Sequence, residues 1–136
     1  MRETEVSRFV PVTPAVVERE LDPARVVALE GSFEVLDVEA TDDATLVTAG
    51  SRGLRMTLRF EPREAGLYYE QEGEAGPFDA MWTRLEWAPE DEGSRVTAHS
   101  GVSLGLPLPG VTDRVAAWKR RGELRRALDR VAEDLA

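Results

Sequence analysis

Four polar side chains, Tyr69, Gln71, Thr83 and Ser100, recur at the same parity as apolar neighbours in successive strand-like segments. The frame comes from residues 54–61, where Leu54, Met56, Leu58 and Phe60 alternate with Arg55, Thr57, Arg59 and Glu61, the pattern of a half-buried antiparallel strand. If Met56, Leu58 and Phe60 face inward, the following segments present Leu67, Tyr69 and Gln71, then Met81, Thr83, Leu85 and Trp87, then Val96, Ala98, Ser100 and Val102. Most of these residues build core, and a pocket shares its walls with a core. The four polar ones must find hydrogen-bond partners there: a ligand, a trapped water or one another. A one-residue slip of register would exchange every one of them for a surface residue.

Two further candidates stand near the C-terminus. Arg121 lies between Ala117 and Leu124. Pointed inward it could hold a carboxylate or an enolate-like oxygen through paired hydrogen bonds; alternatively its stem lies along the core edge and its head reaches water. Trp118 shares a helix face with Val115 and either closes a pocket mouth or packs as an ordinary aromatic. Trp82 has the opposite parity from Thr83, which puts it on the outer sheet face and suggests a homodimer contact or cover from a loop. His99 alternates with Ala98 and Ser100 and belongs on the solvent side. Glu70, Glu72 and Glu74 line one face and are read as an acidic outer surface paired with Arg55 and Arg59. No inward Asp, Glu or His stands out as a base.

Much chemistry is excluded. The chain has no cysteine and one histidine, which removes thiol nucleophiles, thiolate metal centres and sites that need two histidines. It holds neither a glycine-rich phosphate loop nor a Gly-x-Ser-x-Gly elbow. No cofactor and no metal are expected. The net charge of −9 argues against nucleic acid as a partner, because phosphate binding runs on clustered cations. Of the 17 basic residues all but Lys119 are arginine, which suits a halophile-like acidic protein or GC-rich codons equally. The charge is uneven. Residues 111–136 carry seven basic and five acidic groups, so the remainder carries −11. The cluster Lys119-Arg120-Arg121 with Arg125-Arg126 is a solvated helix face or a docking site for something acidic. No apolar run reaches the roughly 18 residues of a membrane span and the first residues resemble no signal peptide, so a cytoplasmic protein is expected.

The elements that must position these residues are legible from punctuation. A short strand at 5–12 ends at Pro11. Thr13-Pro14 and Asp22-Pro23 each pair a cap with a proline at the first helical position, so two short helices follow back to back, one over roughly Pro14 to Leu21 and a second to about Leu29, stopped by Gly31. From 32 to 106 the period becomes two, with turns at 41–44, 50–53, 62–66, 73–77 and 89–93, and Gly66 is expected to supply a positive φ. Six strands result. After Gly105–Gly110 a helix capped by Thr112 runs to the end, with Ala117, Leu124, Leu128, Val131 and Leu135 on one stripe and Val111, Val115, Trp118 and Gly122 on another. The helix is therefore expected to bury one side early and another late. At 136 residues and 42% hydrophobic, one domain spanning 1–136 with one real core is expected.

This order, an α+β chain with two capped helices after strand 1, a six-strand meander and a long closing helix, resembles the START-like (SRPBCC) helix-grip superfamily. More narrowly it is similar to its small single-domain polyketide cyclase/dehydrase and lipid-transport members. The resemblance covers the whole chain and rests on element order, with no catalytic motif to transfer. It implies a seven-stranded curved antiparallel sheet gripping the C-terminal helix, and a cavity between them for a hydrophobic or amphipathic small molecule. The pocket lining expected from strand parity and the closing helix is Met56, Leu58, Phe60, Tyr69, Gln71, Thr83, Leu85, Trp87, Ser100, Val102, Trp118 and Arg121. Three functions stay open: a non-catalytic carrier, a cyclase/dehydrase-type enzyme, and an interaction module using the basic helix.

Overall fold

The computed structural model describes residues 1–74 and 76–136; Ala75, within the turn expected at 73–77, lies outside the described residues. Strand β1 (Arg2–Val10) leads into α1 (Pro14–Glu20) and α2 (Pro23–Glu30), followed by β2 (Glu34–Ala40), β3 (Thr45–Ser51), β4 (Leu54–Arg63), β5 (Gly66–Glu72), β6 (Ala80–Glu90), β7 (Gly93–Ser103) and α3 (Pro109–Asp134). The seven strands form one antiparallel sheet in the order β1-β7-β6-β5-β4-β3-β2, so the hairpin meander β2–β7 is completed by β1 returning beside β7. This is the START-like helix-grip arrangement: the sheet curves around α3, which packs on β1, β7 and α2. Among the described residues no helix is long and apolar enough to cross a membrane.

The two early helices start as their sequences dictate, by different means. Asp22 accepts the Arg25 N–H at 2.9 Å, a side-chain cap in the strict sense. Thr13 occupies the equivalent position before α1 without a side-chain cap bond, and its carbonyl accepts the Val16 and Val17 N–H groups instead. Gly31 ends α2 in the left-handed conformation, φ 78°. The exposed carbonyls of that helix end are taken by α3: Arg126 donates to Glu30 O at 2.8 Å and Arg130 to Leu29 O at 2.9 Å. Cations at a helix C-terminus satisfy orphan acceptors and complement the helix dipole. Two arginines from the basic end of the chain therefore fasten α2, and with it Glu30, beneath α3.

Several expectations need correcting. Gly66 does not supply a positive φ; Ala65 does, at 52°. Gly66 is needed because a Cβ there would collide with the Leu85 carbonyl oxygen. Helix α3 begins at Pro109, with Leu108 in the left-handed conformation before it, and Thr112 lies inside the first turn with its hydroxyl donating to Leu108 O. Asp113 is buried, accepting the Leu104 N–H at 2.9 Å and lying 3.4 Å from the Met1 amino group. The Leu104 N–H holds its carboxyl below the usual carboxylate range, against the opposing effect of burial and with help from the amino group.

The long helix does not change faces. A single inward stripe runs its length through Ala116, Ala117, Arg120, Leu124, Ala127, Leu128 and Val131, while Val111, Val115 and Trp118 face solvent. The outer sheet face carries Trp82, whose indole N–H donates to Met1 Sδ at 3.3 Å, and His99, set edge-on to it. His99 Nε2 lies 2.8 Å from a Glu3 carboxylate oxygen and Nδ1 3.0 Å from Arg84. Cover over Trp82 thus comes from the N-terminus. Arg59 pairs with Asp43 and Glu61, whereas Glu70 accepts from the Tyr68 hydroxyl.

Candidate functional site

Strand register aligns the three hydroxyls that parity placed inward. Tyr69 of β5 stands opposite Thr83 of β6, and Thr83 stands opposite Ser100 of β7, so the three form one row across the concave face. Phe60 of β4 extends the row and stacks on Tyr69 with ring centroids 4.3 Å apart. Two charged groups close over it from the helices. Arg120 comes down from α3 and Glu30 comes in from the last residue of α2, only 3% and 6% exposed.

The five side chains make one connected network. Arg120 Nη2 donates to Thr83 Oγ1 at 2.7 Å and to the Tyr69 hydroxyl at 2.8 Å, and lies 2.9 Å from Glu30 Oε1. Arg120 Nε donates to Ser100 Oγ at 3.3 Å. The Tyr69 hydroxyl donates to Glu30 Oε1 at 2.5 Å. Ser100 donates to the Trp82 carbonyl at 2.8 Å, which leaves its oxygen free to accept from Thr83 at 2.9 Å. Arg120 Nη1 has Glu123 Oε1 at 3.9 Å, an ion pair too long to be a hydrogen bond. Among the described residues no buried side-chain nitrogen or oxygen is without a partner.

Burial alone would disfavour the Arg120 cation, but Glu30, Tyr69 and Glu123 together outweigh it, so the guanidinium is held even more firmly charged than usual. Burial raises the Tyr69 phenol well above its ordinary value of 10; Glu30 adds to this and Arg120 opposes it. The folded protein therefore keeps the Tyr69 proton where the unfolded chain loses it. That stabilisation is complete below about pH 10 and falls by roughly 1.4 kcal/mol per pH unit above it. Urea unfolding between about pH 9 and about pH 11 is expected to show this decline, and Tyr69→Phe is expected to flatten it. An unchanged slope in the variant would mean that Tyr69 is not the group responsible.

Beside the network lies a small, almost wholly apolar space lined by Leu21, Val26, Leu29, Leu85, Leu124 and Val131, with Glu30 and Tyr69 also in its wall. It encloses about 10 Å³, room for one water at most. Leu128 lines this space and also an outer groove of about 320 Å³ between β1 and α3, where Arg8, Arg121, Arg125 and Asp129 meet. Leu128 is thus shared by the wall of the groove and the wall of the inner space.

Of the residues expected around a pocket, Met56, Leu58, Phe60, Tyr69, Thr83, Leu85, Trp87, Ser100 and Val102 are buried on the concave face. Gln71 is half-buried and its amide is used locally, donating to Phe78 O at 2.7 Å, so it does not join the cluster. Trp118 and Arg121 do not point beneath α3. Trp118 is 77% exposed and Arg121 lies in the outer groove, because the inward stripe takes the other flank of the helix. The position next to Arg121, Arg120, carries the buried cation, and Glu30 supplies the inward carboxylate that the sequence reading lacked. Among the described residues no group of three or more acidic or histidine side chains is arranged to hold a metal ion.

No family model matches the chain, and neither does any curated protein. Solved structures do match. The chain is similar to TTHA0849 from Thermus thermophilus at 20% identity and TM-score 0.70, over 99% of this chain and 100% of that one. It is similar to a START superfamily protein from Mycobacterium smegmatis at 13% identity and TM-score 0.73, covering 98% and 99%. XoxI from Bacillus cereus matches at 13% identity and TM-score 0.75, covering 99% and 96%. At these identities the likeness establishes the START-like fold.

Proposed function

We propose that this START-like helix-grip protein binds a small amphipathic molecule beneath α3, with an uncharged polar end at the Arg120–Tyr69 cluster and an aliphatic body among the leucines and valines. The observation that carries this reading is that Glu30 and Tyr69, two members of the buried polar network, also line an apolar space beneath α3. Charge decides the ligand class. Arg120 is already neutralised by Glu30 and approached by Glu123, so a further buried anion would be repelled, whereas a hydroxyl or carbonyl oxygen can share the donors of Arg120 and Tyr69. The small space must widen to admit it, and Leu128, which lines both the groove and the inner space, is the side chain placed to yield. Carriage without reaction is the simplest form of this function.

Native mass spectrometry of gently purified protein, with solvent extraction of whatever is released, tests it. A neutral amphiphile at near one per chain is the expected result. A chain that carries nothing and takes up no 1-decanol when soaked in it overturns the reading.

One observation favours a second reading. Glu30 and Tyr69 form a carboxylate–phenol pair beside a fixed cation, the groups that a proton abstraction next to a carbonyl requires. Turnover of that kind would exchange the α-protons of bound 2-decanone for deuterium in heavy water, at a rate lost in Glu30→Gln. Binding without exchange would leave the carrier reading alone.

A further inference from the structure

The exposed side of α3 carries an apolar pattern that the core does not use. Val111, Val115 and Trp118 are 63%, 60% and 77% exposed, and Leu108, 74% exposed, stands just before the helix. Within the helix Val111, Val115 and Trp118 follow at spacings of four and three, and Gly122 and Arg125 continue the alternation of four and three. A repeat averaging 3.5 residues is the seam by which one helix packs along another. The positions flanking such a seam select the partner by charge. Here they are Arg114 and Arg121 on one side, Lys119 and Arg126 on the other, with uncharged Thr112 above; every charged flank is a cation.

Gly122 is a second, independent sign. It lies inside a 26-residue helix, where glycine weakens the structure, yet a Cβ there would meet nothing within 4 Å. The chain's own packing does not require it. It forms the floor of a notch of about 360 Å³ walled by Trp118, Lys119, Arg121, Arg125 and Arg126. A notch of this kind allows the side chain of a facing helix to sit deep against the backbone.

We infer that this face docks an amphipathic helix of another protein, apolar along its seam and acidic along its flanks. A second copy of the chain is a poor occupant, since pairing the face with itself would set four cations against four. A lipid surface offers no ridge to fill the notch, and a chain of net charge −9 is repelled by an anionic bilayer outside the patch. The surface lies outside the buried cluster and does not rest on the ligand reading above.

Calorimetry with two synthetic helical peptides of about four heptads tests the inference, both with leucine along the seam, one with glutamate and the other with lysine at every flanking position. The glutamate peptide is expected to bind one per chain, with affinity falling at least about tenfold between roughly 50 and 500 mM salt. The double variant Lys119→Glu/Arg121→Glu is expected to weaken it by a further factor of about ten, while the melting temperature stays within a few degrees. Gly122→Leu should also weaken binding while stabilising the helix, a pairing that a merely structural glycine would not produce. Equal binding of both peptides, no binding, insensitivity to these variants, self-association at the same concentrations, or partition onto phosphatidylglycerol vesicles in place of peptide binding would each overturn it.

Discussion

Arg120→Met is expected to destabilise the protein by about 3–5 kcal/mol, a fifth or more of the roughly 5–15 kcal/mol that a domain typically has to lose. The reason is what remains behind. Without the guanidinium, the Glu30 carboxylate is buried with only the Tyr69 hydroxyl for company, and Thr83 and Ser100 each lose a donor. Leaving one partner of a buried ion pair uncompensated costs far more than the pair contributes over an apolar replacement. The double variant Glu30→Met/Arg120→Met is therefore expected to recover most of the loss. Urea unfolding of the two single variants and the double, treated as a cycle, measures the coupling. A cost below about 1 kcal/mol for Arg120→Met would mean that water reaches the cluster and the charges are not buried.

Leu128→Ala carries the second large effect. Leu128 is 3% exposed and lines both the outer groove and the space beside Glu30 and Tyr69. Its truncation removes buried methyl groups and leaves a void that the surrounding strands cannot fill, an expected loss of about 3 kcal/mol. The same change should widen the space that an amphiphile needs and open a path to it. Dissociation constants for 1-decanol are expected to fall by about tenfold relative to the unaltered protein, because the ligand no longer has to displace the leucine. Decanoate, with its charged end facing Glu30, is expected to gain little. The melting temperature should accordingly rise steeply with 1-decanol in the variant and weakly in the original. A variant that is destabilised yet gains affinity for neither compound would show that the void collapses and that nothing enters there.

The fold was readable in the sequence because its signals are local. Each cap-plus-proline pair starts a helix within a turn of itself, and the alternation from Leu54 to Glu61 fixes one strand face without reference to any other. The hydroxyl row follows from the same alternation once neighbouring strands pair in register, which is why Tyr69, Thr83 and Ser100 were placed on the inner face. The charged half of the cluster was not readable in the same way. On a helical projection Arg120 and Arg121 lie about 50° to either side of the stripe through Ala117, Leu124 and Leu128, so periodicity alone cannot choose between them. The deciding signal was in their flanks. Ala116 and Ala127 lie on the Arg120 side and let the helix approach the sheet, while Arg114 and Arg125 lie on the Arg121 side and need water. Glu30 was hidden because the second helix was expected to finish at about Leu29; one more residue puts the carboxylate on the face of Val26 and Val27. Trp118 misled for a physical reason as well: both roles expected of it, closing a pocket mouth or packing as an aromatic, would cover it, whereas its position on the outer side of α3 leaves it 77% exposed.

The most direct test of ligand entry beneath α3 is a two-dimensional NMR titration of the methyl and amide groups with 1-decanol. Saturable shifts are expected at Leu85, Leu124, Leu128 and Val131 and at the backbone of Tyr69 and Glu30, with a stoichiometry of one. Shifts confined to the outer groove and the exposed face of α3, or a core unmoved at saturation of the surface, would contradict it and leave the buried cluster with a purely structural role.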